Sequence, residues 1–392
     1  MKLKCFLFFI FCINLYSEND KIYEFIAEMN AEEKAAQVLM LSIDGNKEFT
    51  KGMYKYFGNT VPGAFILFKF NLADTPEKTS LYIKSVKDSF KKIAKDKNYI
   101  QPIFAIDCEG GGVYRIKHFA SHLPSAKEMA EKYSLSEAKE LYKFTGEQIK
   151  LLGLHINLAP VVEVKNPENI NFFGNRLYSD DKTVVHNYSS VCIEGMKEAG
   201  VISAVKHFPG NAETDPHKER SVIKADKQTF YDKYIEPFKT VLEKNKCAVL
   251  ISHVTVPAVE DVPFCFSEKG IQNILREELN FKGLIITDDL AMAALKGGNK
   301  SSEANAISAL QAGCDMIMCS ENKLNELISV ISDKIKTDKV FAQKIDKAVF
   351  NILTAKIEAG ILDKNCKVIE EYPFDLKKFS TAKKEAEKIL KK

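Results

Sequence analysis

The sequence predicts a single-domain α/β protein folded as a (β/α)8 TIM barrel, and three observations predict it. Short apolar runs rich in β-branched residues alternate with helical patterns, there are eight such runs, and polar residues suited to chemistry stand at the ends of several. The runs are residues 37–41, 64–68, 103–107, 155–162, 202–207, 248–253, 284–288 and 315–319. Near-continuous apolar strands separated by helices indicate a parallel sheet covered on both faces. Between them, Ser134-Leu135-Ser136-Glu137 reads as a capping box opening a helix toward Leu152, with Gly153 as its stop. Ser267 can cap a second helix, in which Ile271, Ile274, Leu275 and Leu279 share one face before Asn280. An open doubly wound sheet has the same local pattern, but the only Gly-rich candidate, Glu109-Gly110-Gly111-Gly112, lacks dinucleotide-fingerprint spacing. The third observation favours the barrel. Asp107, Glu163, His207, His253 and Asp288 fall at the C-terminal ends of five runs, where barrel enzymes assemble their sites from several strands.

A chain of 392 residues fits one large barrel or two ordinary domains. With 45% hydrophobic and 28% charged residues it is not extensively disordered. A net charge of +3 gives no ground for a nucleic-acid partner or an anionic membrane. The N-terminus differs from the rest: Lys2 and Lys4 precede an apolar run from Cys5 to Tyr16 broken only by Asn14, then the polar Ser17-Glu18-Asn19-Asp20. Roughly a dozen apolar residues are too few to span a bilayer, so residues 1–17 are expected to be a signal peptide, with lipidation at Cys12 or an uncleaved anchor as alternatives. The expected location is secreted or periplasmic, with membrane contact only through such an anchor. Seven cysteines remain beyond that segment; Cys247, Cys314 and Cys319 lie in apolar runs and read as buried free thiols. No C-x-x-C pair or other ligand spacing occurs, so neither a metal nor a cofactor is expected. Residues 18–365 form the expected barrel domain, and the Lys/Glu-rich residues 366–392 a helical tail, with the helix itself at 379–392.

Leu284-Ile285-Ile286-Thr287-Asp288-Asp289 places a carboxylate at the exit of a buried strand. Asp288 would project into the barrel mouth while Asp289 caps the next helix; taken alone, both could merely cap. Lys206-His207-Phe208-Pro209-Gly210 ends another strand, and Asp215-Pro216-His217 comes after it on a loop. An imidazole two residues from a carboxylate can be oriented by it and have its pKa raised, which suits general acid/base work near neutrality.

Several motifs taken in order resemble one family. They are Glu32-Glu33-Lys34 with Gln37; Ile106-Asp107-Cys108-Glu109-Gly110-Gly111 with Arg115 and Leu123-Pro124; and Asn157-Leu158-Ala159-Pro160 followed by Gly174-Asn175-Arg176. Lys206-His207-Phe208-Pro209-Gly210, Leu275-Arg276-Glu277-Glu278-Leu279 and Thr287-Asp288-Asp289-Leu290 complete the set. Over about residues 26–362 the chain is similar to the single-domain β-N-acetylhexosaminidases of glycoside hydrolase family 3, which act on peptidoglycan fragments. The resemblance implies a retaining hydrolase that releases terminal β-linked N-acetylglucosamine from muropeptides or chitooligosaccharides through a covalent glycosyl-enzyme. Asp288 matches the nucleophile, His217 the acid/base and Asp215 the carboxylate that polarises it, a departure from the usual two-carboxylate arrangement. Asp107, Arg176, Lys206 and His207 match positions that hold the sugar hydroxyls and N-acetyl group.

The chain departs from the family pattern at four places: Asn211 stands where His-Gly is usual, shortening the loop by two residues; Gly112 replaces an Arg, Glu163 an Asp, and Leu177 a small residue. Two alternatives arise. A histidine acid/base repels phosphate less than a carboxylate does, which admits a β-N-acetylglucosaminide phosphorylase; the short loop admits a catalytically decayed sugar-binding relative. No cofactor is implied, and a monomer is expected.

Overall fold

A computed structural model describes residues 18–95, 99–212, 220–292, 295, 301–369 and 374–391. Residues 1–17, expected to be a signal peptide, and the Asp215–His217 pair lie outside the described residues. All eight apolar runs contribute to one sheet: β1 (Leu39–Ser42), β2 (Ala64–Leu67), β3 (Ile103–Ile106), β4 (Ile156–Asn157), β5 (Ile202–Phe208), β6 (Ala248–Ile251), β7 (Ile285–Thr287) and β8 (Ile317–Cys319). Hydrogen-bonded neighbours follow the order β7-β6-β5-β4-β3-β2-β1-β8, every pair parallel. The ring closes between β7 and β8, where Thr287 N–H donates to Met316 O at 3.0 Å and Met316 N–H to Ile285 O at 3.0 Å. An open sheet would leave those two edges unpaired. The fold is a (β/α)8 barrel.

All eight strands differ from their runs by at least one residue, and two of the differences have a local cause. The helix Ala31–Gln37, held by a capping box on Asn30, takes Gln37 out of the first strand. The fourth run pairs only over Ile156–Asn157, because Pro160 has no N–H to donate; the ladder resumes as a bridge between Val161 and Lys206. Elsewhere the local signals hold. Ser134 caps the helix Leu135–Leu151 through a capping box, and Gly153 ends it at φ +90°. Ser267 Oγ accepts from Gly270 N–H at 2.9 Å at the head of the π-wound helix Lys269–Glu278. The terminal helix starts earlier than expected, at Leu376–Leu390, because Asp375 caps it. It packs on the barrel through buried Phe379, whose ring lies 6.1 Å from Phe119. All seven described cysteines are buried and free. Among the described residues, no helix is long and apolar enough to cross a membrane.

The helix Lys339–Glu358 carries an unusual core residue. Lys356 is fully buried and donates to Gln37 Oε1 at 2.9 Å, a neutral partner. Burial pushes its pKa well below the ordinary lysine value. Between the lowered folded pKa and the unfolded lysine value of about 10.4 the unfolded chain binds more protons than the folded one, so stability rises with pH there. Urea titrations at pH 7 and 9 should show the wild type gaining on Lys356→Met by up to about 1.4 kcal/mol per pH unit. Parallel pH dependences would contradict a lowered Lys356 pKa.

Candidate active site

The residues singled out at strand ends meet at the C-terminal mouth of the barrel. Asp107 leaves β3, and Glu109 comes two residues later in the hairpin made by Cys108–Gly110 and Val113–Tyr114. Gly110 makes that turn possible: its φ is +109°, and a Cβ there would lie 2.1 Å from Pro124 O. Lys206, buried in β5, donates to Asp107 Oδ1 at 2.7 Å and contacts Glu109 Oε1 at 2.6 Å. Arg176, in the short turn Gly174–Arg176, clamps Glu109 through Nε at 2.8 Å and Nη2 at 2.9 Å. Arg115 Nη2 stands 3.7 Å from Asp107 Oδ2. Three cations and two carboxylates thus interlock, with Glu109 shared by Lys206 and Arg176.

Electrostatics follow from that arrangement. Burial opposes ionisation of Glu109, but Lys206 and Arg176 outweigh it and bring its pKa down to about 2. Burial likewise opposes the charge on Lys206, and Asp107 and Glu109 hold its pKa above the usual lysine value. Both remain charged across the working pH range. Arg176 also stacks over the Phe173 ring, 5.0 Å from its centroid, and Phe173 lies 5.5 Å from the His207 ring.

Glu163, two residues after the Val161 bridge, organises the next layer. Its carboxylate contacts His207 Nδ1 at 2.9 Å, accepts from Asn211 N–H at 2.8 Å and from Asn211 Nδ2 at 3.2 Å. The Glu163 and Asn211 departures therefore act together, and Asn211 holds the start of the shortened loop. Leu177 is buried beside Val161 and Phe173, while Gly112 faces open space.

Asp288 leaves β7 with its N–H donating to Ile251 O at 2.9 Å, which fixes the backbone through the ladder rather than through the side chain. Its Oδ1 accepts from Asp289 N–H at 2.9 Å. Among the described residues no Lys or Arg forms an ion pair with it. Burial works against its charge, yet His253, His207, the Asp289 N–H and Lys206 together hold its pKa below the usual aspartate value. Asp289 acts on the backbone instead. Its Oδ1 accepts from Ala291 N–H and Ser320 N–H, both at 3.0 Å, tying the loop after β7 to the end of β8. His253 sits behind this loop, Nε2 2.9 Å from Asp289 O and Nδ1 3.2 Å from Cys265 Sγ.

The structure thus brings Asp107, Arg176, Lys206, His207 and Asp288 to one mouth. Sequence reading passed over Glu109 as a hub, although the i, i+2 spacing from Asp107 places both carboxylates on one side of an extended segment. The Glu163–Asn211 contact spans 48 positions and has no local signature.

Residues 30–355 match the Glycosyl hydrolase family 3 N terminal domain. A protein named beta-hexosaminidase from Hydrogenovibrio crunogenus is 32% identical over 250 residues, 62% of this chain and 66% of that one, just under two thirds of its length. A second beta-hexosaminidase, from Idiomarina loihiensis, is 28% identical over 82% of this chain and 94% of its own. A solved structure of a fungal multi-domain GH3 beta-N-acetylglucosaminidase superposes with a TM-score of 0.80 at 26% identity, over 91% of this chain and 42% of that one. With the family match spanning most of the barrel, the chain belongs to glycosyl hydrolase family 3.

Proposed function

We propose that this protein is a retaining β-N-acetylhexosaminidase that removes terminal β-linked N-acetylglucosamine from muropeptides or chitooligosaccharides. One observation carries the reading most directly: Asp288 is an ionised carboxylate in the barrel mouth with no Lys or Arg committed to it among the described residues. Lys206 and Arg176, the nearby strong cations, are engaged by Asp107 and Glu109. A carboxylate whose charge is maintained but not neutralised is suited to attack an anomeric carbon. Its oxygen forms a bond to C1 as the bond from C1 to the leaving oxygen breaks. His217 delivers a proton to that oxygen and then takes one from the water that releases the sugar, with Asp215 orienting the imidazole. Asp107, Arg176, Lys206 and His207 bind the sugar and its N-acetyl group with charge-assisted hydrogen bonds. The beta-hexosaminidase names of the relatives support this substrate class. The basic residues and apolar run of residues 1–17 support export, with the barrel acting as a monomer outside the cytoplasm.

Hydrolysis of 4-nitrophenyl N-acetyl-β-D-glucosaminide and of N,N′-diacetylchitobiose by wild type and His217→Ala, with and without phosphate, tests this reading. For chitobiose, kcat/KM should fall about 10²–10⁴-fold, as expected on removing a general acid. The 4-nitrophenyl glycoside should suffer less, because 4-nitrophenolate leaves without a proton. The alkaline limb of the wild-type pH profile, set by loss of the imidazole proton, should vanish in the variant. Equal losses on both substrates with an unchanged profile would remove His217 from this role. A sugar-phosphate product would assign phosphorolysis instead.

A further inference from the structure

We infer that Phe68 and Phe70 form a stacking platform for the pyranose ring on the leaving-group side of the scissile bond. The inference rests on the glycosidase reading above and goes beyond it by locating the aglycone subsite. The register of β2 on β3 pairs Ala64 with Ile103, Ile66 with Ala105 and Leu67 with Ile106. Continuing one step puts Phe68 level with Asp107, on the same alternating face of the sheet. Phe68 is therefore the rim neighbour of a residue that already holds Lys206 at the mouth. Phe70 stacks on it, ring centroids 5.8 Å apart at 24°.

The platform is built rather than frayed. Buried Asn71 accepts from Phe68 N–H at 2.9 Å and donates to Ile43 O at 2.6 Å and Gly45 O at 3.0 Å, locking the turn Lys69–Asn71 onto the loop after β1. Yet that rigid turn presents Phe70 with 56% of its surface exposed. Beyond its stack on Phe68, an apolar ring that keeps more than half of its surface in water at the edge of a polar site gains little from packing. A β-linked N-acetylglucosamine has equatorial substituents, so each face of its ring offers axial C–H groups to the electron-rich face of an aromatic ring. A saccharide leaving group fits this surface; a small alkyl one does not reach it.

The experiment compares N,N′-diacetylchitobiose with methyl N-acetyl-β-D-glucosaminide as substrates. Phe70→Ala should raise KM for the disaccharide about tenfold, a loss typical of one aromatic contact. It should leave kcat/KM for the methyl glycoside within about twofold and thermal stability unchanged. Phe70→Trp should retain disaccharide activity. Equal effects on both substrates, or none on the disaccharide, would overturn the assignment. Because the chain contains no tryptophan, the Asp288→Asn/Phe70→Trp double variant carries a single tryptophan, placed on the platform, and binds without turnover. Its emission should shift on titration with N,N′-diacetylchitobiose and not with the methyl glycoside. A silent emission with the disaccharide overturns the platform whether or not wild type hydrolyses it. Absence of hydrolysis by wild type with a shifted emission would instead sink the glycosidase reading alone.

Discussion

Asp288→Ala should lower kcat/KM on N-acetyl-β-D-glucosaminides by about 10⁴–10⁶-fold, the loss expected when a covalent nucleophile is removed, while the protein stays folded. The second half of that expectation is as specific as the first. Asp288 is anchored by its backbone N–H to Ile251 O, and its side chain bonds only to the adjacent Asp289 N–H within the described residues. Burial opposes its charge, so losing the carboxylate also relieves a desolvation cost. Its depressed pKa contributes stability only above the unfolded carboxylate pKa of about 4, and that small contribution is lost as pH falls through the lower folded value. Urea midpoints of wild type and variant at pH 7 should therefore lie close together. Azide, a small anion able to enter the vacated space, should restore turnover by attacking C1 from the same side, releasing the α-glycosyl azide. A variant that keeps activity within tenfold of wild type, or an azide product of β configuration, would place the nucleophile elsewhere.

What was legible in the sequence divides along a physical line. Strand identity was legible because both faces of a barrel strand are covered, so each run is apolar throughout; all eight appear. Closure was not locally encoded. It depends on β7 meeting β8 through Thr287, Met316 and Ile285, contacts that an open sheet would lack without changing either run. The site residues at strand ends were legible as positions, since a polar residue ending an apolar run at the barrel mouth has few packing reasons to be there. Their mutual wiring was not. Lys206 reaches Asp107 across 99 positions and Arg176 reaches Glu109 across 67. Such pairings follow from strand order and not from spacing. Asp289 shows the same divide: read as a cap for the next helix, it accepts from Ala291 N–H but also from Ser320 on the neighbouring strand exit.

The largest stability effect should come from Glu109→Gln, because Glu109 is the one carboxylate shared by buried Lys206 and part-buried Arg176. Lys206 is 3% exposed and Glu109 5% exposed in their side chains, so neither charge is relieved by water when the other is lost. A glutamine of the same shape keeps the acceptor oxygen for one of them and presents an N–H₂ toward the other. Lys206 retains Asp107, but Arg176 is left stacked on Phe173 without a carboxylate partner. Breaking a buried pair in this way costs about 3–5 kcal/mol. The pH dependence separates this from ordinary packing damage. Glu109 has a folded pKa of about 2 against about 4.3 when unfolded. Its contribution is thus fully present above the unfolded value and disappears as pH falls through the folded one. Urea unfolding should show the full deficit of Glu109→Gln at pH 7 and a clearly smaller one at pH 3; a deficit equal at both values would mean that Glu109 acts through shape alone. Catalysis should fail with it. Lys206 and Arg176 lose the group that fixes their position relative to Asp288, and displacements of about 1 Å in such groups cost on the order of 10²-fold. Because both cations bind the sugar in the ground state as well as the transition state, the loss should appear in KM as well as kcat, whereas Asp288→Ala acts on the chemical step.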